Sequence, residues 1–396
     1  MTRSQAGQKK GLLLLASAQG LYLSNNVLLF SINGLLGWEI APKPWLATLP
    51  LMAYLGGGAF SAPLVAHHHR IWGRRKAFLI GILVAAVSAI LCAFAAMERN
   101  FILLVAATLV GGYANASGSL YRFASTEIVG ADLKEKAISW VLAGGILGGV
   151  VGPNLAKWTM DLGAFPYVWS YLSLVGLAGL AALLVWRIDF PPADPAPPTN
   201  AKTRLSTRPA AFFIAILLAA MGNGMMNLLM AATPIAMKQC HHPFSATTVV
   251  LESHVVAMFL PSFVTGSIIR RIGAQPVLWA GLAIYLVCSL IALSGTDMMH
   301  FLGALIALGI GWNFLFVGAT TLFTSTYAPE EKNAAQGTMD FFVYLTLVVT
   351  SFSSGALVTA GGWTWMNLAA FAPLGIMALA LAWLGLSIRN NRMTAR

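Results

Sequence analysis

Four side chains with soft or borderline donors stand in two pairs of equal spacing, Met226 with Met230 and His254 with Met258. A separation of four residues puts both members of a pair on one helical face, so each pair can grip one ion. Thioethers are neutral, polarizable donors that select Cu(I) among biological metals, and an imidazole is compatible with that ion. Three thioethers and one neutral imidazole bring no charge, so a monovalent cation is held without a buried carboxylate and weakly enough to be released. Magnesium, calcium and manganese would want oxygen ligands, which are scarce here.

Further candidates surround these four. Cys240, His241 and His242 follow one another between the two pairs and read either as a metal inlet relay or as an exposed polar turn before Pro243. The runs His67-His68-His69 and Met298-Met299-His300 read as exit and capture points or as ordinary loop polarity, while Met221, Met225 and Met237 read as packing. Arg122, Asp340 and Glu252 are charges near or within apolar stretches. Such residues are expensive in hydrocarbon and commonly line a cavity, which makes them candidates for coupling or gating, with snorkelling or simple solvation as the alternative for Arg122 and Glu252.

The elements that must position these residues are membrane helices. Of 396 residues 58% are hydrophobic and 9% charged, and the mean hydropathy is +0.75, which excludes a soluble globular fold. Apolar stretches fall at about 11–37, 45–68, 76–97, 101–121, 137–158, 166–187, 210–237, 246–269, 275–295, 299–324, 334–360 and 363–388, each long enough for a span of ~20 residues. The first lacks a small-residue cleavage site and is expected to be retained. The pattern predicts an all-α membrane protein of twelve helices in two bundles, 1–188 and 210–396, joined by a polar, proline-rich linker at 189–209.

Of the 24 Lys and Arg residues, all but Lys43, Arg99, Lys157 and Lys238 then fall on the side of the two termini, which predicts cytoplasmic tails. The formal charge of +11 is accounted for by these loops, and no nucleic-acid partner is expected. Cys92, Cys240 and Cys288 are odd in number and widely spaced, and give no disulfide framework. No Gly-x-x-x-x-Gly-Lys-Ser/Thr loop is present and no paired carboxylates or nucleophile–base set is evident, so an enzyme is not expected.

The halves repeat at an offset of 200 residues. His69-Arg70-Ile71-Trp72-Gly73 closes the second stretch and Ile269-Arg270-Arg271-Ile272-Gly273 the eighth. At the same offset Asn26 matches Met226, Phe30 matches Met230, Tyr54 matches His254 and Gly58 matches Met258, so the soft donors belong to the second half alone. A rise of ~1.5 Å per residue puts Met230 and His254 about 10 Å, and Met226 and Met258 about 16 Å, below the same membrane face.

The basic turn ending in glycine, with the glycine-rich run Gly144 to Gly152 before Pro153, resembles the Major Facilitator Superfamily over the whole chain. That resemblance implies two six-helix bundles rocking about a central site. Arg70 and Arg270 stand where the superfamily's loop motif has Asp, so the relay attributed to that Asp is not carried over. Within the superfamily, a Met-x-x-x-Met pair on helix seven followed by a His-x-x-x-Met pair on helix eight resembles the CcoA-like copper importers of bacterial inner membranes. The resemblance implies copper as transported substrate with no prosthetic group, and Met226, Met230, His254 and Met258 as its contacts. It further implies delivery to cytoplasmic copper chaperones or assembly factors of a haem-copper oxidase. The alternatives are a proton-coupled exporter of a hydrophobic drug or metabolite, for which the glycine-rich run also speaks, and a copper-binding assembly factor that transports nothing.

Overall fold

The computed structural model describes residues 5–129, 134–191, 209–327 and 332–394; most of the proline-rich linker lies outside them. The described residues form helices and no strand. In the first half these are α1 (Gln5–Ile40), α2 (Leu49–Met97), α3 (Phe101–Gly118), α4 (Tyr121–Ile128), α5 (Lys134–Thr159) and α6 (Val168–Trp186). In the second they are α7 (Pro209–Gln239), α8 (Phe244–Phe259), α9 (Ser262–Ile272), α10 (Ala274–Ser294), α11 (Met298–Thr324), α12 (Lys332–Ala369) and α13 (Phe371–Thr394).

A straight helix of 49 residues, the length of α2, would be about 74 Å long. The hydrocarbon core is ~30 Å thick. The backbone leaves the helical region at Gly73 (φ 76, ψ 166), and Tyr54 and Ser88, on opposite sides of that glycine, both lie against Gly111 of α3. The segment has therefore doubled back and crosses twice. Gly273 repeats the conformation (φ 87, ψ 166) between α9 and α10, so the repeat in sequence is a repeat in backbone geometry. Both glycines sit in a region that side chains with a Cβ rarely enter.

Nine helical segments of the described residues are long and apolar enough to cross a bilayer. Two of them, Pro44–Met97 and Ala335–Ser387, hold two crossings each, the second broken at Gly362 (φ 67). With α5 the crossings number twelve, in two halves that each pack chiefly on themselves. The halves meet where α5 touches α8, α2 touches α12 and α1 touches α7. The glycine run of α5 makes one of these seams and another within the first half. Gly144, Gly148 and Gly152 lie against the α1 backbone around Ala16 and Ser24, while Gly145 and Gly149 lie against Phe259 and Val255 of α8. Side chains larger than hydrogen would hold those helices apart.

The eighth stretch departs from the single helix expected over 246–269. It is broken after Phe259 into α8 and α9, with Pro261 at the break. Proline has no N–H to continue the ladder and its ring crowds the preceding turn. The fourth stretch is likewise divided, by a turn at Ser119 and Leu120 between α3 and α4.

Candidate functional site

Met230 is buried at 6% exposure and packs with Val27 of α1 and with Leu251 and Val255 of α8, and Met226, Phe30 and Phe259 close around this cluster. Leu251 and Val255 flank His254 on α8, so the thioethers of α7 lie beside the turn of α8 that carries the histidine. Phe259 continues downward to Trp312 of α11, edge to face at 6.2 Å, and the Trp312 indole N–H donates to Asn223 of α7 at 2.9 Å.

His254 is fully buried. Its Nδ1 lies 2.8 Å from the Leu305 carbonyl of α11. A carbonyl only accepts, so the ring proton is on Nδ1, and Nε2 carries a free lone pair. That nitrogen is buried and has no hydrogen-bond partner among the described residues. Metal-binding histidines commonly take this form, one nitrogen tied to a carbonyl and the other presented to the ion. Met258 is 8% exposed, and its main-chain carbonyl accepts from Asn313 of α11 at 2.8 Å. Around the α8 axis position 258 falls about 40° from 254 and about 20° from 251. The structure thus brings Met226 and Met230 together against α8 and anchors the His254 ring on α11, while helix geometry alone places position 258 on the arc between 251 and 254.

The other sequence candidates take separate places. Cys240 and His242 converge on one residue of the α10–α11 loop. The Thr296 hydroxyl bonds the Cys240 thiol, and His242 Nε2 donates to the Thr296 carbonyl at 2.7 Å. Burial pushes the Cys240 thiol above its usual range, with the Thr296 hydroxyl opposing. His241 is exposed and adopts φ 62, the left-handed value that ends a helix. The three cysteines are free. The His67–His69 rings do not share a partner: His67 meets Arg70, His68 stacks on Trp72 at 4.1 Å and bonds Tyr113, and His69 packs on Phe78. His300 approaches Asp297 at 3.9 Å.

Glu252 accepts from Asn154 of α5 at 3.0 Å, a bond between the halves. Arg122 lies over the Phe123 ring at 4.7 Å. Its charge acts on Asp340 of α12, yet among the described residues the two form no ion pair within 4.0 Å. The acid near Arg122, Glu127, is taken by Arg74 instead, whose Nε donates to both carboxylate oxygens at 3.1 and 3.2 Å.

Polar contacts between the halves gather on the face opposite the termini. Lys238 at the end of α7 pairs with Glu39 at the end of α1, and Tyr167 donates to the same carboxylate at 2.7 Å. The Lys238 ammonium also lies 5.3 Å from the Trp38 ring centre. Nearby, Thr48 donates to the Ser351 carbonyl at 2.6 Å and accepts from the Gly355 amide at 3.0 Å. These contacts join the halves on the distal face, while among the described residues Arg122 and Asp340 form no ion pair. Sequence reasoning missed Glu39, Lys238, Thr48 and Asn154. The 200-residue repeat held a signal for the first two, since Glu39 and Lys238 close corresponding helices.

Twelve crossings in two related halves, joined by polar contacts at the distal face, are the architecture of a secondary transporter. The profile of the Major Facilitator Superfamily matches residues 12–251 and again 212–393, and the chain belongs to that superfamily. It is 34% identical to the riboflavin transporter RfnT of Brucella anthropi (strain ATCC 49188), over 94% of this chain and 95% of that one. It is 26% identical to the uncharacterized MFS-type transporter YddS of Bacillus subtilis (strain 168), over 85% and 82%. Among solved structures, the POT family transporter PepTSo superposes with a TM-score of 0.72 at 12% identity, covering 97% of this chain and 98% of that one. The nucleoside transporter NupG gives 0.68 at 14%, covering 93% and 98%. At such identities the likeness is one of fold.

Proposed function

We propose that this transporter carries copper, as Cu(I), through the bacterial inner membrane into the cytoplasm, with His254 Nε2 and the thioethers of Met226, Met230 and Met258 as successive or joint contacts. The observation that carries the reading is the His254 lone pair, buried without a partner among the described residues, on a helix turn flanked by two residues of the Met230 cluster. A buried polar atom left unpaired costs roughly 1–3 kcal/mol, and a soft cation would remove that cost where water would not suit the apolar lining. The tails face the cytoplasm, where the Lys and Arg residues collect. The cargo passes there to a copper chaperone or to oxidase assembly factors, as the CcoA-like resemblance implies.

A second reading, riboflavin, rests on the 34% identity to RfnT over nearly the whole chain. The first half also holds a cavity lined by Tyr22, Asn25, Tyr54, Phe78 and Tyr121, and aromatic and amide side chains suit a flat heterocycle as well. Uptake of radioactive copper and of labelled riboflavin into proteoliposomes, by the intact protein and by His254→Ala and Met226→Ala, separates the readings. Copper uptake that falls more than tenfold in both variants, with no riboflavin flux, is the expected result. Riboflavin flux indifferent to the two substitutions replaces copper with the vitamin. Flux of neither, with copper bound, leaves the assembly factor, and flux of neither without binding leaves the exporter.

A further inference from the structure

One face of α11 runs along α8 through the residues Leu305, Gly309 and Asn313, each four positions from the next. Each meets the His254–Met258 turn differently. The Leu305 carbonyl takes the Nδ1 proton of His254. At Gly309 an added Cβ would lie 2.6 Å from the His254 carbonyl oxygen, 2.9 Å from the Ala257 Cβ and 2.9 Å from the Met258 amide nitrogen. Two of those three neighbours are backbone atoms that cannot turn aside. Asn313, 1% exposed, donates through its amide to the Met258 carbonyl at 2.8 Å and to the Ser262 hydroxyl at 2.6 Å, and accepts from Thr265 at 2.7 Å. It therefore spans the break at Pro261, replacing the bond from Ser262 that a continuous helix would have given Met258.

We infer that Leu305, Gly309 and Asn313 are the positioning residues of the copper site: they fix the His254 tautomer and hold the His254–Met258 turn in place against α11. The inference rests on the copper reading only for its ligand. Its logic is steric and electronic. The carbonyl of residue 305 reaches the imidazole because residue 309, one turn on, has no side chain to keep the helices apart. With the proton held on Nδ1, the lone pair on Nε2 is constant and the ring does not spend part of its time as the other tautomer. A ligand's partner in this position typically contributes 10- to 100-fold in metal affinity. Asn313 extends the same grip to Met258, whose thioether then moves with the imidazole and not with the loose half-turn around Pro261.

The test is nitrogen-15 NMR of histidine-labelled full-length protein, with the His254 signals identified by their loss in His254→Gln, followed by titration with Cu(I), which is diamagnetic. The intact protein is expected to show one His254 tautomer, protonated at Nδ1, whose Nε2 resonance moves on adding Cu(I). Gly309→Ala is expected to give mixed tautomers and Cu(I) binding weakened about tenfold. Asn313→Ala, which leaves the helix seam intact, is the second variant if Gly309→Ala does not fold, and is expected to weaken Cu(I) binding while keeping the tautomer. A single unchanged tautomer and Cu(I) affinity within twofold in both variants overturns the inference. If the tautomer responds to Gly309→Ala but the intact protein's Nε2 signal ignores Cu(I), positioning stands and the copper reading falls.

Discussion

Tyr54 donates a short hydrogen bond to Asn26, and these two positions are the counterparts, 200 residues earlier, of His254 and Met226. The first half thus joins across α1 and α2 the positions that the second half fills with an imidazole and a thioether. Asn26 and Tyr22 both continue to Asn115 on α3, so the first-half network is closed on itself. In the second half the imidazole keeps one nitrogen open. Rebuilding the first-half pair in the second, as Met226→Asn with His254→Tyr, is expected to give a folded protein whose copper uptake is at least tenfold lower. Uptake assays at matched protein level, with a thermal melt for folding, check this.

The Glu39–Lys238 pair is exposed by 25% and 39% at its two side chains, so it contributes at most ~1 kcal/mol. Lys238→Ala is then expected to shift the balance toward the form open on the distal face by up to about fivefold. Spin labels at positions 43 and 245, read by electron–electron distance measurement, should gain a longer component, and the exchanged pair Glu39→Lys with Lys238→Glu should remove it. An unchanged distance distribution in Lys238→Ala would show that the pair is not a latch.

Glu252 is held by the Asn154 amide, and a neutral amide oxygen at position 252 accepts the same bond. If the residue serves to join the halves, Glu252→Gln keeps uptake within about twofold while Asn154→Ala lowers it, for lack of the donor. If it serves as a proton carrier, Glu252→Gln abolishes uptake driven by a pH gradient. Proteoliposomes with an imposed gradient distinguish the two, and the first outcome is expected.

The Cys240 thiol lies above its usual range through burial, so the thiolate fraction near neutral pH is small and grows as pH rises toward that raised value. Alkylation of Cys240 by a maleimide is therefore expected to be slow at pH 7 and to accelerate about tenfold per unit through pH 9. Cys92 and Cys288, both buried, should not react in the folded protein. Mass spectrometry of the labelled peptides gives the rates; fast labelling of Cys240 at pH 7 contradicts the structure.

The number of helices, the division into halves and the turn glycines were legible because each is local or periodic: a run of apolar residues, a charge bias, a recurrence of Gly73 at Gly273. Spacing also named Met226, Met230, His254 and Met258 as sharing helix faces. What could not be read is rotation about the helix axis. Leu305 and Gly309 carry no chemical mark in the sequence, since one acts through its backbone carbonyl and the other through a missing side chain. The break at Pro261 was marked by the proline itself, yet the apolar run on both sides masked it. Arg74 and Glu127 are far apart in the chain, and only the fold chooses Arg74 over Arg122 as the partner of that acid.

A duplicated protein folds its two copies face to face, so residues near the axis between them meet their own counterparts. Lys238 does so with Trp38, over whose ring it lies. The chain carries Trp38 and Glu39 in one copy and Lys238 and Gln239 in the other. One cation of the second copy therefore meets both a ring and a carboxylate of the first, and the reciprocal pair that two identical copies could make is absent, since Trp38 and Gln239 carry no charge.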